Sequence, residues 1–203
     1  MGTPYFIMDP GLHIKRYPCA ILVHPAIATM IETANAHSLT AENIARIEVG
    51  VSDVVTSTLN HPEPKTGLEG KFSVAFPLAH ALIERRLGLN DFTDEKVNDP
   101  KVQRLMKKFL VRTDPKLLEG GGNEVTAKLT IELTGGQRIE RIATLERGKA
   151  QKWIGASELA EKFRQCAARV LPVDRAKKAF DLALALDSAK GVHELMELVG
   201  ARA

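Results

Sequence analysis

The sequence predicts an α+β fold: a two-layer sandwich of a mostly antiparallel sheet with helices, followed by a C-terminal segment made of helices alone. Three observations carry that expectation. Residues 44–51 and 124–146 alternate apolar and polar at the period of a half-buried strand, residues 25–37 and 72–87 place apolar side chains at helical spacing, and apolar stripes recur after Ser157 with no strand between them.

The elements follow in order. After Pro25, the residues Ala26, Ile27, Met30, Ile31 and Ala34 define a helix over 25–37, closed by the polar cluster His37, Ser38 and Thr40. In ENIARIEVGVSD, Ala45, Ile47, Val49 and Val51 fall on one face and Arg46, Glu48 and Gly50 on the other, which predicts a strand. NHPEPKTGLEG, residues 60–70, has two prolines and two glycines and reads as an extended connector, because a residue before proline is pushed away from the helical region. Phe72, Phe76, Ala79 and Ile83 form a helical stripe over 72–87, with Arg85 and Arg86 suited to the C-terminal dipole and Gly88 as a left-handed stop. Pro77 inside that stripe predicts either a kink or a helix that truly begins beside it. Asp99-Pro100 opens a short basic helix through about Lys108, and FLVRTD follows as a strand. EGGGNE reads as a flexible loop. Val125, Ala127, Leu129, Ile131 and Leu133 then alternate with polar partners, and Gly135-Gly136 permits a two-residue primed hairpin turn.

Composition shifts near Gly148. Leu159, Phe163, Cys166 and Val170, then Ala179, Phe180, Ala183 and Leu184, then Val192, Leu195, Met196 and Val199 mark about three helices. The expected organisation is an α+β domain over 1–150 and C-terminal helices over 151–203 whose stripes require something to pack on.

Bulk properties narrow the function. The 203 residues carry 28 basic and 25 acidic side chains, a net charge of +3 spread along the chain without a basic arm. Arg85, Arg86, Lys101, Arg104, Lys107 and Lys108 are the best case for nucleic acid, but two tyrosines and one tryptophan leave few stacking platforms, and no nucleic-acid partner is expected. Cys19 and Cys166 exclude a disulfide framework and fit a reducing cytoplasm better than export. No apolar run reaches about 18 residues, the opening is no signal peptide, and the myristoylation pattern fails, so no membrane partner is expected.

Several segments invite chemistry. GLEGK, residues 67–71, resembles a phosphate loop only loosely: two residues separate its glycines where four are needed, and Phe72 follows the lysine in place of Ser or Thr. A glycine-rich turn is the better reading. His13, Cys19 and His24 have no fourth ligand nearby and no paired spacing, which leaves structural packing ahead of metal. Cys19 has no base that spacing can nominate. Lys15, beside Ile14, Tyr17 and Pro18, is either a partly desolvated lysine fit to hold a carboxylate or move a proton, or a snorkelling surface lysine. His24, just before Pro25, is either a polar cap or an acid/base group. His61, Glu63 and Lys65 lie on a stiff extended backbone that aims polar groups or simply connects two elements.

Taken together, DPGLHIKRYPCAILVHPAI, ARIEVGVS and NHPEPKTGLEGKFSVAFPLAHAL resemble, in order and spacing, the C-terminal part of the MmgE/PrpD family. The likeness runs over most of the chain. It implies a family whose members include 2-methylcitrate dehydratase, cis-aconitate decarboxylase and iminodisuccinate epimerase. It also implies a large helical domain preceding the region matched here, a lid-like α+β domain, and an active site between them that needs no metal or organic cofactor. Final helices would return to pack on the helical domain.

By the same resemblance, Lys15 falls on the lysine of K-x-[YF]-P, His24 on the histidine before the next helix, and Lys71-Phe72-Ser73 on the KFS segment. Lys15 and His24 are then the expected catalytic residues and Lys71 and Ser73 the expected substrate-binding ones. Ala20 and Phe76 depart from the pattern, standing where some decarboxylase-type members carry histidine and tyrosine. The resulting expectation is a dehydratase-like lyase portion for a small di- or tricarboxylate, metal-free, without cofactor, a homodimer, and inactive or nearly so without its helical domain. The alternative is a stand-alone carboxylate-binding or dimerising module.

Overall fold

Alternating segments become strands wherever a partner strand can take up their backbone groups, and four do so here. In a computed structural model that describes Tyr5 and residues 14–118, 124–146 and 154–200, these are β1 (Ile44–Val51), β2 (Phe109–Thr113), β3 (Glu124–Leu133) and β4 (Arg138–Glu146), in the sheet order β2-β1-β3-β4. The Gly2-Thr3-Pro4 opening, His13 and all of the EGGGNE loop but Glu124 lie outside the described residues. β1 runs antiparallel to β3, and β3 to β4, whereas β1 and β2 are parallel. The sheet is therefore mixed, with antiparallel pairings in the majority, and the α+β expectation holds.

A parallel pair cannot be closed by a tight turn. Between Val51 and Phe109 the chain must leave the sheet and return, and this crossover carries α2 (Asp53–Thr58), α3 (Gly67–Gly70), α4 (Ala75–Glu84), α5 (Asp94–Val97) and α6 (Pro100–Met106). Helix α1 (His24–Ala36) lies over β3 and β4 and against α4. The core sits between these helices and one sheet face: Ile47, Val49 and Val51 meet Leu129 and Ile131 from the sheet, and Ile27, Met30, Phe76, Leu78 and Leu82 from the helices.

Four details differ from the sequence expectations. A register shift between Ile44 and Arg46 puts Ile44 into the core and leaves Ala45 exposed, because a bulge inverts the alternation on one side of it. The connector over 60–70 ends in a real helical turn, α3, whose start Thr66 caps by accepting from the Glu69 N–H at 3.2 Å. Helix α4 is shorter than 72–87: it begins near Pro77, where the missing N–H would be unbonded anyway, and leaves Phe72 exposed. It stops at Arg85, not Gly88. Arg85 adopts φ 59°, and its guanidinium donates to the Leu82 and Leu39 carbonyls, which offsets the strain of a left-handed non-glycine residue.

The hairpin turn also differs from the two-residue primed form. Leu133 N–H donates to Gln137 O at 2.8 Å and Gly136 N–H to Leu133 O at 2.9 Å, enclosing the three residues Thr134, Gly135 and Gly136. Only Gly136, at φ 83°, is left-handed, which is the geometry of a three-residue loop with a glycine bulge. Helix α6 forms as its Asp99-Pro100 start implies, with Asp99 Oδ1 accepting from Lys101 N–H at 2.7 Å.

The chain divides into two compact units, residues 1–150 and 151–203. The second consists, among its described residues, of α7 (Ala156–Ala167), α8 (Val173–Leu184) and α9 (His193–Val199), with a 3₁₀ turn over Leu186–Ser188. Phe163 and Phe180 join α7 to α8 with ring centroids 5.2 Å apart, and Arg175 donates to the Leu198 carbonyl at 2.6 Å, closing the α9 C-terminus. Cys166 and Val170, on the first apolar stripe read after Ser157, are exposed.

Candidate functional site

The segment from Ile14 to Val23 sends some side chains into the core and leaves others on the surface. Tyr17 and Cys19 are buried while Lys15 is exposed. Arg16 lies 5.5 Å above the Tyr17 ring, a cation–π contact that helps hold the aromatic in place. Pro18 restricts the backbone between them, and a 3₁₀ turn over Ile21–Val23 leads into α1.

His24 opens α1 and is completely buried. Its Nε2 donates to the Cys19 carbonyl at 3.4 Å, and its ring meets the edge of Tyr17 at 5.3 Å between centroids. A side chain with no exposed surface acts through what it touches, and here it touches the backbone of the lysine-bearing segment.

Lys71 comes to the same place from the crossover. The Ala20 N–H donates to the Lys71 carbonyl at 3.1 Å, stitching the two segments side by side. Cys19 registers the result: burial pushes its thiol up to about 12, and the nearby ammoniums of Lys15 and Lys71 oppose that rise. Both cations are thus within electrostatic reach of one sulfur. The sulfur itself remains a neutral thiol near pH 7, which removes Cys19 as a nucleophile. Neither lysine is ion-paired with another described residue.

Ser73, two residues beyond Lys71, is completely buried, and its Oγ accepts from the Phe76 N–H at 3.3 Å. The structure gives this hydroxyl to the first turn of α4, leaving it no surface toward a ligand. Of the expected site residues, Lys15 is exposed and Lys71 partly exposed, with both ammoniums acting on the Cys19 thiol, whereas His24 and Ser73 are buried.

The loop before Lys71 is tied down along its length. His61 N–H donates to the Phe72 carbonyl at 3.4 Å, Lys65 N–H to Glu69 Oε2 at 2.6 Å, and Asn98 Nδ2 to the Lys65 carbonyl at 2.8 Å. Gly67 and Gly70 let α3 seat directly on the segment that follows α4. A Cβ on Gly67 would stand 2.2 Å from the Phe92 carbonyl oxygen, and one on Gly70 would stand 2.9 Å from the Phe76 ring. Asp94 Oδ1 accepts from the Gly67 N–H at 2.7 Å. Asp94 and Asn98 were not singled out by sequence reasoning. The signal that points to them is the pair of short capping patterns TGLE and TDEK, each with a threonine three residues before a helical residue.

A recess of about 280 Å³ is lined mainly by Leu59, Pro62, Val74, Met106, Phe109 and Val111. None of Lys15, His24, Lys71 and Ser73 lines it. Among the described residues no group of three or more His, Cys, Asp or Glu side chains is placed to hold a metal, and no helix is long and apolar enough to cross a membrane.

Residues 17–188 match the MmgE/PrpD C-terminal domain. A cis-aconitate decarboxylase of Aspergillus terreus is 25% identical over 204 residues, covering 93% of this chain and 40% of that protein. The cis-aconitate decarboxylase of Mus musculus is 22% identical over 191 residues, covering 91% of this chain and 38% of the relative. A cis-aconitate decarboxylase-like protein of Aspergillus oryzae is 24% identical over 160 residues, 77% of this chain and 33% of its own. The chain spans two fifths or less of the length of these relatives.

Proposed function

Starting from the premise that the chain belongs to the MmgE/PrpD family, we propose that it forms one wall of a lyase site for a small di- or tricarboxylate, with the other wall supplied by a helical domain of the same enzyme or a separate chain. The observation that carries this reading is that the Ala20 N–H joins the Lys15 segment to the Lys71 carbonyl, with both ammoniums acting on a Cys19 thiol that burial keeps neutral. Two ammoniums that act on one point favour a polyanion there over a single charge, and a neutral Cys19 does not compete for their charge.

The chemistry follows from where charge develops. Removing a proton next to a carboxylate moves negative charge onto the carboxylate oxygens, and cations already in place stabilise that charge more than they stabilise the ground state. Lys15 and Lys71 take this role. His24 positions the Lys15–Cys19 segment through the Cys19 carbonyl, and Ser73 fixes the start of α4 behind Lys71. The relatives carry decarboxylase names. Ala20 and Phe76 stand where decarboxylase-type members have histidine and tyrosine, and Phe76 is completely buried, so elimination of water from a methylcitrate-like substrate is the reading preferred here. The remaining acid/base groups are assigned to the helical domain, and groups that act as a unit fail together when half are missing.

Two measurements test this. Citrate titrated into the chain by calorimetry should bind, and Lys15→Ala or Lys71→Ala should each weaken binding by about 10- to 100-fold, the range for a lost charge-assisted hydrogen bond. Unchanged affinity in both variants overturns the lysine pair. Turnover of 2-methylcitrate should be absent with the chain alone and appear when a matching helical domain is added; robust turnover by the chain alone overturns the shared-site reading.

A second reading is favoured by one observation. Val170, Val173, Leu184, Val192 and Met196 are all exposed in the unit over 151–203, and a stand-alone carboxylate-binding module that dimerises would cover such side chains. A monodisperse monomer in sedimentation removes that reading.

A further inference from the structure

We infer that Asp94 is a positioning residue for the anion site, setting Lys71 in place through the single helical turn α3. This rests on the lysine-pair reading above. The path is short and every link in it is a hydrogen bond or a close contact. Asp94 Oδ1 accepts from the Gly67 N–H at 2.7 Å, at the first residue of α3. Gly70 N–H donates to Thr66 O at 2.9 Å and Lys71 N–H to Leu68 O at 3.1 Å, so the turn is rigidly hydrogen-bonded up to Lys71 itself. The Lys71 carbonyl then accepts from the Ala20 N–H at 3.1 Å, which connects the turn to the segment bearing Lys15.

A one-turn helix has little stability of its own, because nucleation fixes several residues for very few bonds. Something outside must hold it. Here the hold comes from α5: the Asp94 carboxylate takes one of the N–H groups that a helix start leaves without an internal partner, and an acidic group suits that end. Asn98 secures the same junction from the other side, donating from Nδ2 to Lys65 O at 2.8 Å and to Asp94 O at 2.7 Å. Gly67 and Gly70 allow the approach, since a side chain at either would meet Phe92, or Phe76 and Val97. Lysine is a long, flexible side chain, so a cation that has to meet a carboxylate in one geometry needs its backbone fixed. Asp94 supplies that fixation from a different part of the crossover, without touching the anion.

The test uses the 203-residue chain, with Asp94→Ala and the conservative Asp94→Asn, whose amide oxygen still accepts from Gly67. Two readouts are needed. Citrate affinity is measured for D94A, K71A and the double variant: D94A should weaken citrate by about 10-fold, D94N should bind as the unchanged chain does, and D94A added to K71A should bring no further loss, because both remove the same contact. Full additivity, or unchanged affinity in D94A, overturns the inference. Hydrogen exchange of the Ala20 amide is read without any ligand: it should speed up in D94A but not in D94N, while the amides of β1 and β3 keep their rates. A merely local role leaves Ala20 unchanged, and that result overturns the inference even if citrate does not bind at all, an outcome that would by itself defeat only the lysine-pair reading. If D94A fails to fold, Asn98→Ala takes its place with the same expected and overturning results.

Discussion

The two units of this chain satisfy their apolar residues in opposite ways. In the unit over 1–150, β1 is flanked by strands from distant parts of the sequence, and helices α1 and α4 close over one face, so Phe76, Ile27, Met30, Ile47 and Leu129 have no exposed surface. Among the described residues of the unit over 151–203 the buried apolar positions are alanines, Ala167, Ala176 and Ala179, while Val170 is 80% exposed and Val173 69%. Non-local pairing brings many faces to one core. Helices of twelve, twelve and seven residues, connected in series, have too few faces to cover one another. The first unit therefore carries its own stability, and large side chains in the second are spare surface.

The sharpest test of that contrast substitutes one large apolar residue in each unit. Phe76→Ala should cost about 3–5 kcal/mol, the range for emptying a packed aromatic site, whereas Val170→Ala should change stability by less than about 0.5 kcal/mol. Urea unfolding of both variants reads the difference, and comparable losses would erase the contrast.

Glycines repeat the comparison at a smaller scale. Gly67→Ala forces a methyl group against the Phe92 carbonyl and should cost about 1–3 kcal/mol. Gly155→Ala, at the start of α7, meets nothing nearer than Glu158 Oε2 at 3.9 Å and should cost less than about 1 kcal/mol, the difference between glycine and alanine at a helix cap. The two melting shifts, measured side by side, should keep that order.

The smallest expected effect depends on pH. His80 is buried in α4, its Nδ1 has no hydrogen-bond partner, and Asp91 Oδ1 lies 3.7 Å from its Nε2. Burial holds its pKa below the usual 6.5, against the opposing pull of Asp91. Asp91 is itself occupied by Arg86 at 2.8 Å and the Gly88 N–H at 2.7 Å. The unfolded chain then binds a proton more readily than the folded one as pH falls below about 6.5. The histidine's contribution to stability is complete above that value and is lost progressively as pH falls through the lower folded value. His193 in the second unit is fully on the surface. Urea midpoints measured from pH 7.5 to 5 should decline in the original chain and decline less in His80→Gln; parallel curves would remove His80 as the cause.

Much of the fold was legible because it rests on local rules. Strict alternation announced β3, the Gly135-Gly136 turn announced the hairpin that adds β4, the Asp99-Pro100 pair announced α6, and Pro77 announced the true beginning of α4. What misled were features whose cause lies elsewhere in the chain. Ala45 lost its core place to a bulge set by pairing with β3, and Arg85 ended α4 ahead of Gly88 because the Leu39 carbonyl, far away in sequence, was there to accept its guanidinium. The parallel pairing of β1 with β2 has no local signature at all. The site divides along the same line. The motifs around Lys15, Lys71 and Ser73 drew attention to all three alike; that the Ser73 hydroxyl accepts from the Phe76 N–H, and that the Asp94 carboxylate accepts from the Gly67 N–H, emerged only from the folded chain.

By itself the amino-acid order determined which residues bear chemistry and which backbone segments are stiff, since proline, glycine, capping groups and apolar period act over a few neighbouring residues. Only the tertiary structure decided which of those residues face outward together. The segments that carry Lys15 and Lys71 lie side by side because the Ala20 N–H donates to the Lys71 carbonyl, a bond that no short-range interaction dictates, and burial keeps the Cys19 thiol near them neutral.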